Sequence, residues 1–210
     1  LAVVGDIMCH NTQYNDAYDS STKTYDFTHV FTNIAEQLQK ADLTIGNLET
    51  TFAGSDRGYS SYPTFNTPDA LAVNLRALGF DVLCTANNHS LDKGFSGITR
   101  TLEVLDDNGI SHMGTYASEE DSHEILVKDV NGIKIAMLAY TYGTNGIPIP
   151  SGKDFCVNLI DKAKIKADLD KVKELDVDLI SVNMHWGAEY RLKPTTEQEQ
   201  LADFLFENGV

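Results

Sequence analysis

Four short apolar runs in this sequence each end in side chains that can bind a metal or move a proton. Leu1 to Val4 is followed by Gly5-Asp6, Leu43 to Ile45 by Gly46-Asn47-Leu48-Glu49, Val82 to Thr85 by Asn87-Asn88-His89, and Leu179 to Asn183 by His185-Trp186-Gly187. The donors are Asp, Asn, Glu and His with no paired Cys. That set suits a hard or borderline divalent ion such as Mn²⁺, Fe²⁺ or Zn²⁺ better than a thiolate site would. Asp6 and Glu49 could neutralise such an ion and His185 could add a nitrogen ligand. His89, beside Asn88, could carry protons, because an unperturbed imidazole titrates near ~6.5.

Each residue also has an ordinary reading. Asp6 after a glycine suits a turn or a helix cap, Glu49 a solvated loop, Trp186 a core anchor and His185 a satisfied core histidine. Two amides and an imidazole directly after an apolar strand are harder to dismiss, since each must find a partner if buried. In α/β sheets ligands bind beyond the carboxyl ends of the strands, so four such clusters should converge. Their coincidence outweighs four separate ordinary accounts.

The elements that would position them follow one grammar. Phe27, Val30, Phe31, Ile34 and Leu38 recur at helical spacing before an extended Leu43-Thr-Ile45. Pro68 opens a second helix that Gly79 stops before Asp81 to Thr85, and Gly94 to Asn108 reads as a third, closed by Gly109. Asp161 caps a helix carrying Ile165, Leu169 and Val172 ahead of the strand Asp178 to Val182. Thr195-Thr-Glu-Gln198 reads as a capping box opening a last helix. Asn131-Gly132 between Glu124 to Val130 and Ile133 to Tyr140 predicts a hairpin. Alternating helices and strands with an inserted hairpin predict an α/β layered fold containing a mixed sheet. Thr50 to Thr67 and Tyr142 to Gly152 are long loops of the kind that carry function.

With 210 residues at ~150 per domain, one large domain spanning 1–210 is expected. Apolar residues at 42% and charged residues at 22% exclude disorder and a disulfide-stapled miniprotein. No apolar run approaches the ~20 residues of a membrane span, and no signal peptide is present. A formal charge of −15 argues against nucleic acid as a partner. Cys9, Cys84 and Cys156 are too few and too widely spaced for a disulfide framework or zinc ribbon. The chain opens within a strand-like run and stops abruptly at Glu207-Asn-Gly-Val210, so it is expected to be incomplete at both ends.

Gly5-Asp6-Ile7-Met8, Asn47-Leu48-Glu49, Ala86-Asn87-Asn88-His89 with Asp92 and Gly94, and His185-Trp186-Gly187-Ala188-Glu189-Tyr190 with Pro194 resemble the bacterial capsule-synthesis protein CapA family, or poly-γ-glutamate synthesis proteins. That family is similar to the calcineurin-like metallophosphoesterases. The resemblance implies a metallophosphatase-like αββα sandwich of mixed sheets with a two-metal site at the strand ends. It implies that Asp6, Asn47, Glu49, Asn88 and His185 are metal ligands and that His89 is the proton donor. Met8 and Asn47 depart from the phosphoesterase pattern, which has His and Asp there. Losing a nitrogen and a bridging carboxylate weakens a binuclear site, because ion charge must be balanced locally. The resemblance also implies a later Gly-x-His-Pro-His motif beyond Val210, so the given residues alone are expected to hold metal weakly or not at all.

The implied activity is a metal-dependent hydrolase or transferase acting on poly-γ-glutamate, a cell-wall polymer or a related amide or phosphoester. Its place would be the cell exterior, free or membrane-anchored, beside a membrane capsule-synthesis complex. Catalysis would fall to His89 and Glu49; without metal, these carboxylates and His89 would leave acid–base chemistry at an acidic Cα. The alternative is a non-catalytic accessory protein that binds or exports an anionic capsule polymer on a retained scaffold. Arg57 and Tyr59 in the Tyr-rich loop, and Glu189 and Arg191 after the histidine motif, are the candidate substrate contacts, although for Arg57 and Arg191 the ordinary reading, exposed arginines, is the favoured one.

Overall fold

The computed structural model describes residues 1–210. The chain runs through β1 (Ala2–Ile7), α1 (Asn11–Asp16), the small hairpin β2 (Tyr18–Asp19) and β3 (Thr24–Tyr25), α2 (Ala35–Gln39) and β4 (Thr44–Leu48). It continues through α3 (Ala70–Ala77), β5 (Val82–Cys84), α4 (Gly94–Asp107), β6 (Ser111–Met113) and β7 (Leu126–Val130). The last elements are β8 (Ile133–Thr141), α5 (Lys162–Lys173), β9 (Leu179–His185) and α6 (Thr196–Glu207).

Two sheets result. β1, β4, β5 and β6 lie in that order with every pair parallel. In the second sheet β7 pairs antiparallel with β8, and β8 parallel with β9. The hairpin therefore makes only the second sheet mixed. Side-chain alternation along β8 shows how the layers stack. Ile135, Met137 and Ala139 meet Ile45, Val82, Cys84 and Met113 of the first sheet. Ala136, Leu138 and Tyr140 turn the other way onto Ile165, Leu169 and Val172 of α5 and Leu201 and Leu205 of α6. On the far side of the first sheet, Leu48 and Leu83 pack with Leu71 and Leu75 of α3 and Val104 and Leu105 of α4. The order is helices, sheet, sheet, helices, which is the αββα sandwich. Each buried leucine stabilises these contacts by about 1.5–3 kcal/mol.

Local signals account for most boundaries. Asp161 accepts from Lys164 N at 2.7 Å, and Thr195 and Gln198 form the reciprocal capping box. Asn131 and Gly132 both adopt positive φ, as the hairpin turn requires. The helix expected across Phe27 to Leu38 is instead broken into a 3₁₀ turn, Thr28–Phe31, and the short α2. Thr28 and Thr32 explain the break. Thr28 donates both its backbone N–H and its hydroxyl to Asp26 Oδ1, and Thr32 Oγ1 donates back to His29 O, so local side-chain bonds compete with helical ones.

The fold delivers chemistry to one edge because β1, β4 and β5 run parallel and end together. An irregularity sharpens the placement. Val3 pairs with Ile45, but the next partners are Asp6 and Asn47, so β1 spends three steps where β4 spends two. This bulge puts Asp6, instead of Gly5, beside Asn47. The β5 exit is held from the other side by Gly114, at φ +102°, where an added Cβ would lie 2.5 Å from Ala86 Cβ. Gly114→Ala should therefore lower stability by about 2–4 kcal/mol through strain and overpacking. Urea denaturation measures it; an unchanged midpoint would show that the Ala86–Gly114 contact is slack.

Candidate functional site

A cavity of about 720 Å³ opens at the carboxyl ends of the strands. Asp6 reaches it from β1, Glu49 directly after β4, Asn88 and His89 after β5, and His185 as the last residue of β9. The loops flagged for their length form the walls: Tyr62, Pro63 and Thr64 come from one, and Tyr142, Asn145 and Ile147 from the other.

Ligand atoms of Asp6, Glu49 and His185 lie within 4.8 Å of one another. Asp6 is exposed, His185 half-buried and Glu49 buried. Glu49 Oε1 stands 3.9 Å from both His89 Nε2 and His185 Nε2, and Oε2 is buried with no hydrogen-bond partner. Stripping water from a carboxylate without replacing its hydrogen bonds is costly. Burial first, and then the charge of Asp6, push the Glu49 pKa up to about 7, with His89 opposing. A divalent cation among these three donors would supply the missing counter-charge, so the residues fit a metal.

An amide frame holds the donors. Asn87, wholly buried, donates to Leu48 O at 2.8 Å and to Asn47 Oδ1 at 3.2 Å, while its own Oδ1 accepts from His89 N at 3.0 Å. Asn47 Nδ2 donates to Asp6 Oδ1 at 2.8 Å and lies 3.3 Å from His185 Nδ1. Asn47 thus turns its N–H groups toward the ligand atoms and its oxygen toward Asn87. Asn88 Oδ1 lies 2.8 Å from His185 Nε2, and Asn88 Nδ2 donates to Asn145 Oδ1 at 3.1 Å. These contacts suit a neutral His185 carrying its proton on Nε2. Burial pushes its pKa below the ordinary imidazole value, more than Asp6 raises it.

His89 is buried and has its own orienting group. Its Nδ1 lies 2.8 Å from Asp92 Oδ2, and the same oxygen accepts from Phe65 N at 2.6 Å. Phe65 packs edge-on against the His89 ring at 4.7 Å between centroids. Asp92 thereby favours the tautomer with the proton on Nδ1 and leaves Nε2 facing Glu49 and the cavity.

The other expected contacts are distributed unevenly. Glu189 lines the cavity. Arg191 lies outside it, on a neighbouring hollow formed by Ala188 to Thr196. Arg57 donates to Lys93 O at 2.6 Å, and Tyr59 packs among Tyr14 and Tyr25, so neither touches the cavity. Asn145, Tyr62 and Tyr142 went unnamed in the sequence because loop residues carry no periodic signal; only the length of their loops marked them.

The αββα sandwich places the chain in the metallophosphatase-like fold class. Residues 1–210 match the family model described as bacterial capsule synthesis protein PGA_cap, and the chain belongs to that family. It is 27% identical over 225 residues to the capsule biosynthesis protein CapA of Bacillus anthracis, covering 100% of this chain and 52% of the relative. It is 29% identical over 147 residues to the PGA biosynthesis protein CapA of Bacillus subtilis strain 168, covering 65% and 36%. An uncharacterized Sinorhizobium fredii protein, y4sH, is 30% identical over 146 residues, covering 66% and 29%. The chain therefore spans about half the length, or less, of these curated relatives.

Two outcomes follow. The raised Glu49 pKa means that, without metal, the folded chain binds more protons than the unfolded one between pH 4.5 and about 7. Stability then falls as pH rises through that window. Glu49→Gln should be near neutral at pH 4.5 and stabilising by about 3 kcal/mol at pH 7.5 in EDTA; a pH-independent difference in urea midpoints would contradict the burial penalty. Separately, ¹⁵N shifts should show His89 protonated on Nδ1 when neutral, and Asp92→Asn should lose that preference.

Proposed function

We propose that this chain is a metal-dependent hydrolase or transferase that acts on a polymer during capsule assembly at the bacterial cell surface. The observation that carries the reading is the buried, unpartnered Glu49 oxygen beside the Asp6 and His185 donors. A carboxylate kept there at a cost in stability makes sense if its partner is an ion. Capsule assembly is supported by the family and by the two relatives named for capsule or PGA biosynthesis. The cell exterior is the place where such a polymer is finished. No helix here is long and apolar enough to cross a membrane.

Asp6, Glu49 and His185 would hold the ion, with Asn88 as a further oxygen donor if it releases His185. A divalent ion in this position supplies Lewis-acid activation of water and of the scissile group. The chain's own residues do the rest. Asn47 and Asn88 set the orientation of Asp6 and His185 before substrate arrives. In its doubly protonated form His89 presents Nε2–H to the cavity and would deliver that proton to the leaving atom, held in register by Asp92 through Nδ1. The loop around Phe65 shields the back of that imidazole from water.

One observation favours a second reading. Asn47 offers N–H groups where phosphoesterases place a bridging carboxylate, which fits a single ion that anchors an anionic polymer such as poly-γ-glutamate without cleaving it. Titration calorimetry and variants separate the two. Mn²⁺ or Zn²⁺ should bind at about one per chain, weakened at least tenfold by Asp6→Asn or His185→Ala. His89→Ala should keep metal affinity within a few fold while abolishing polymer cleavage and capsule formation. Capsule formed normally by His89→Ala would support anchoring over catalysis. No metal uptake at all by the intact protein would remove both readings.

A further inference from the structure

The cavity carries a second set of side chains that the metal chemistry leaves unused. Tyr62 and Tyr142 are 72% and 51% exposed at its mouth, and Trp186 lines it half-buried. Tyr142 is not a loose surface group. Its ring stacks on His185 at 5.9 Å and 14°, so the ring is held and its other face is left to the cavity. Asn145 and Glu189 also line the cavity, the amide able to donate and accept and the carboxylate to accept.

The charge of the lining is one-sided. Asp6, Glu49, Asp92 and Glu189 are all acidic, and no Lys or Arg lines the cavity. One divalent ion leaves these four carboxylates net negative, and even two only neutralise them. The chain as a whole carries −15. A polyanion approaching this mouth gains a single favourable contact, at the ion, and meets repulsion elsewhere. An uncharged, hydroxyl-rich unit meets no such penalty. The C–H face of a sugar ring packs on aromatic rings, and its hydroxyls pair with amides and carboxylates.

We infer that the unit bound at the Tyr62–Tyr142–Trp186 mouth is a neutral saccharide, so that the polymer handled here is a cell-wall glycan in preference to poly-γ-glutamate. This rests on the proposal that this cavity is the polymer site, and it chooses between the polymers that proposal allows.

Trp186 is the sole tryptophan of the chain and therefore reports occupancy directly. Its emission is followed while the 210-residue chain is titrated with triacetylchitotriose or with a γ-glutamyl tetramer at low salt, in EDTA and again with Zn²⁺. Calorimetry on the same samples catches any binding that leaves the emission unchanged. The expected result is saturable saccharide binding with and without Zn²⁺, weakened about three- to tenfold by Tyr142→Ala and similarly by Tyr62→Ala. The γ-glutamyl tetramer should bind at least tenfold more weakly. Circular dichroism verifies that the two exposed-site variants fold. Tighter binding of the γ-glutamyl tetramer, no saccharide binding by either method, or affinities unmoved in both folded variants would overturn the inference. Failure of the metal reading shows separately, as absent Zn²⁺ uptake alongside intact saccharide binding.

Discussion

A carboxylate can be kept out of water only where something replaces its hydration, and Glu49 is kept out of water with one oxygen left bare. The rest of the site is arranged around that imbalance. The other Glu49 oxygen stands 3.9 Å from His89 Nε2 and from His185 Nε2, within electrostatic reach but beyond a hydrogen bond. Had the site been selected for stability alone, a glutamine or a leucine there would serve better. The surrounding asparagines do not relieve the charge, because their amide protons are spent on Asp6, Leu48 O and one another. They fix geometry and leave the charge uncompensated.

The sandwich makes that arrangement possible by bringing strand ends from two sheets to one rim. Asp6, Asn47 and Asn88 arrive from the parallel sheet, and His185 arrives from the mixed one. Neither sheet could assemble the donor set alone. The interface of Ile45, Val82 and Cys84 with Ile135, Met137 and Ala139 therefore does more than bury apolar surface, because it sets the distance between Glu49 and His185. Close packing transmits small changes in such an interface to the rim.

Much of this was readable in the sequence, for identifiable reasons. Helices α3, α4, α5 and α6 announced themselves through caps, periodic leucines and terminal glycines, and the β7–β8 turn through Asn-Gly. The convergence of Asp6, Glu49, His89 and His185 followed from one rule about parallel strands. What the sequence hid were contacts made by residues without periodicity. Arg57 and Tyr59 looked like substrate contacts because their loop is long and polar, yet that loop is bound into the fold by Asn66, whose amide bonds Gly54 O and Gly58 O and whose oxygen accepts from Ala53 N. Only its far stretch, from Tyr62 to Thr64, reaches the cavity. The break in the 27–39 segment was hidden too, since apolar spacing predicts a helix and says nothing of threonines bonding their own backbone.

Asp92 shows how the loops and the His89 imidazole are tied together. A single oxygen, Oδ2, receives both the His89 ring proton and the Phe65 backbone N–H, and Oδ1 is buried without a partner. The carboxylate is thus committed at once to the tautomer of His89 and to the course of the loop that supplies Tyr62. Any movement of that loop must lengthen one of two short bonds to the same atom or carry His89 with it. The mouth and His89 are consequently coupled through one buried charge. A ligand packed against Tyr62 would bear on the orientation of the imidazole without touching it.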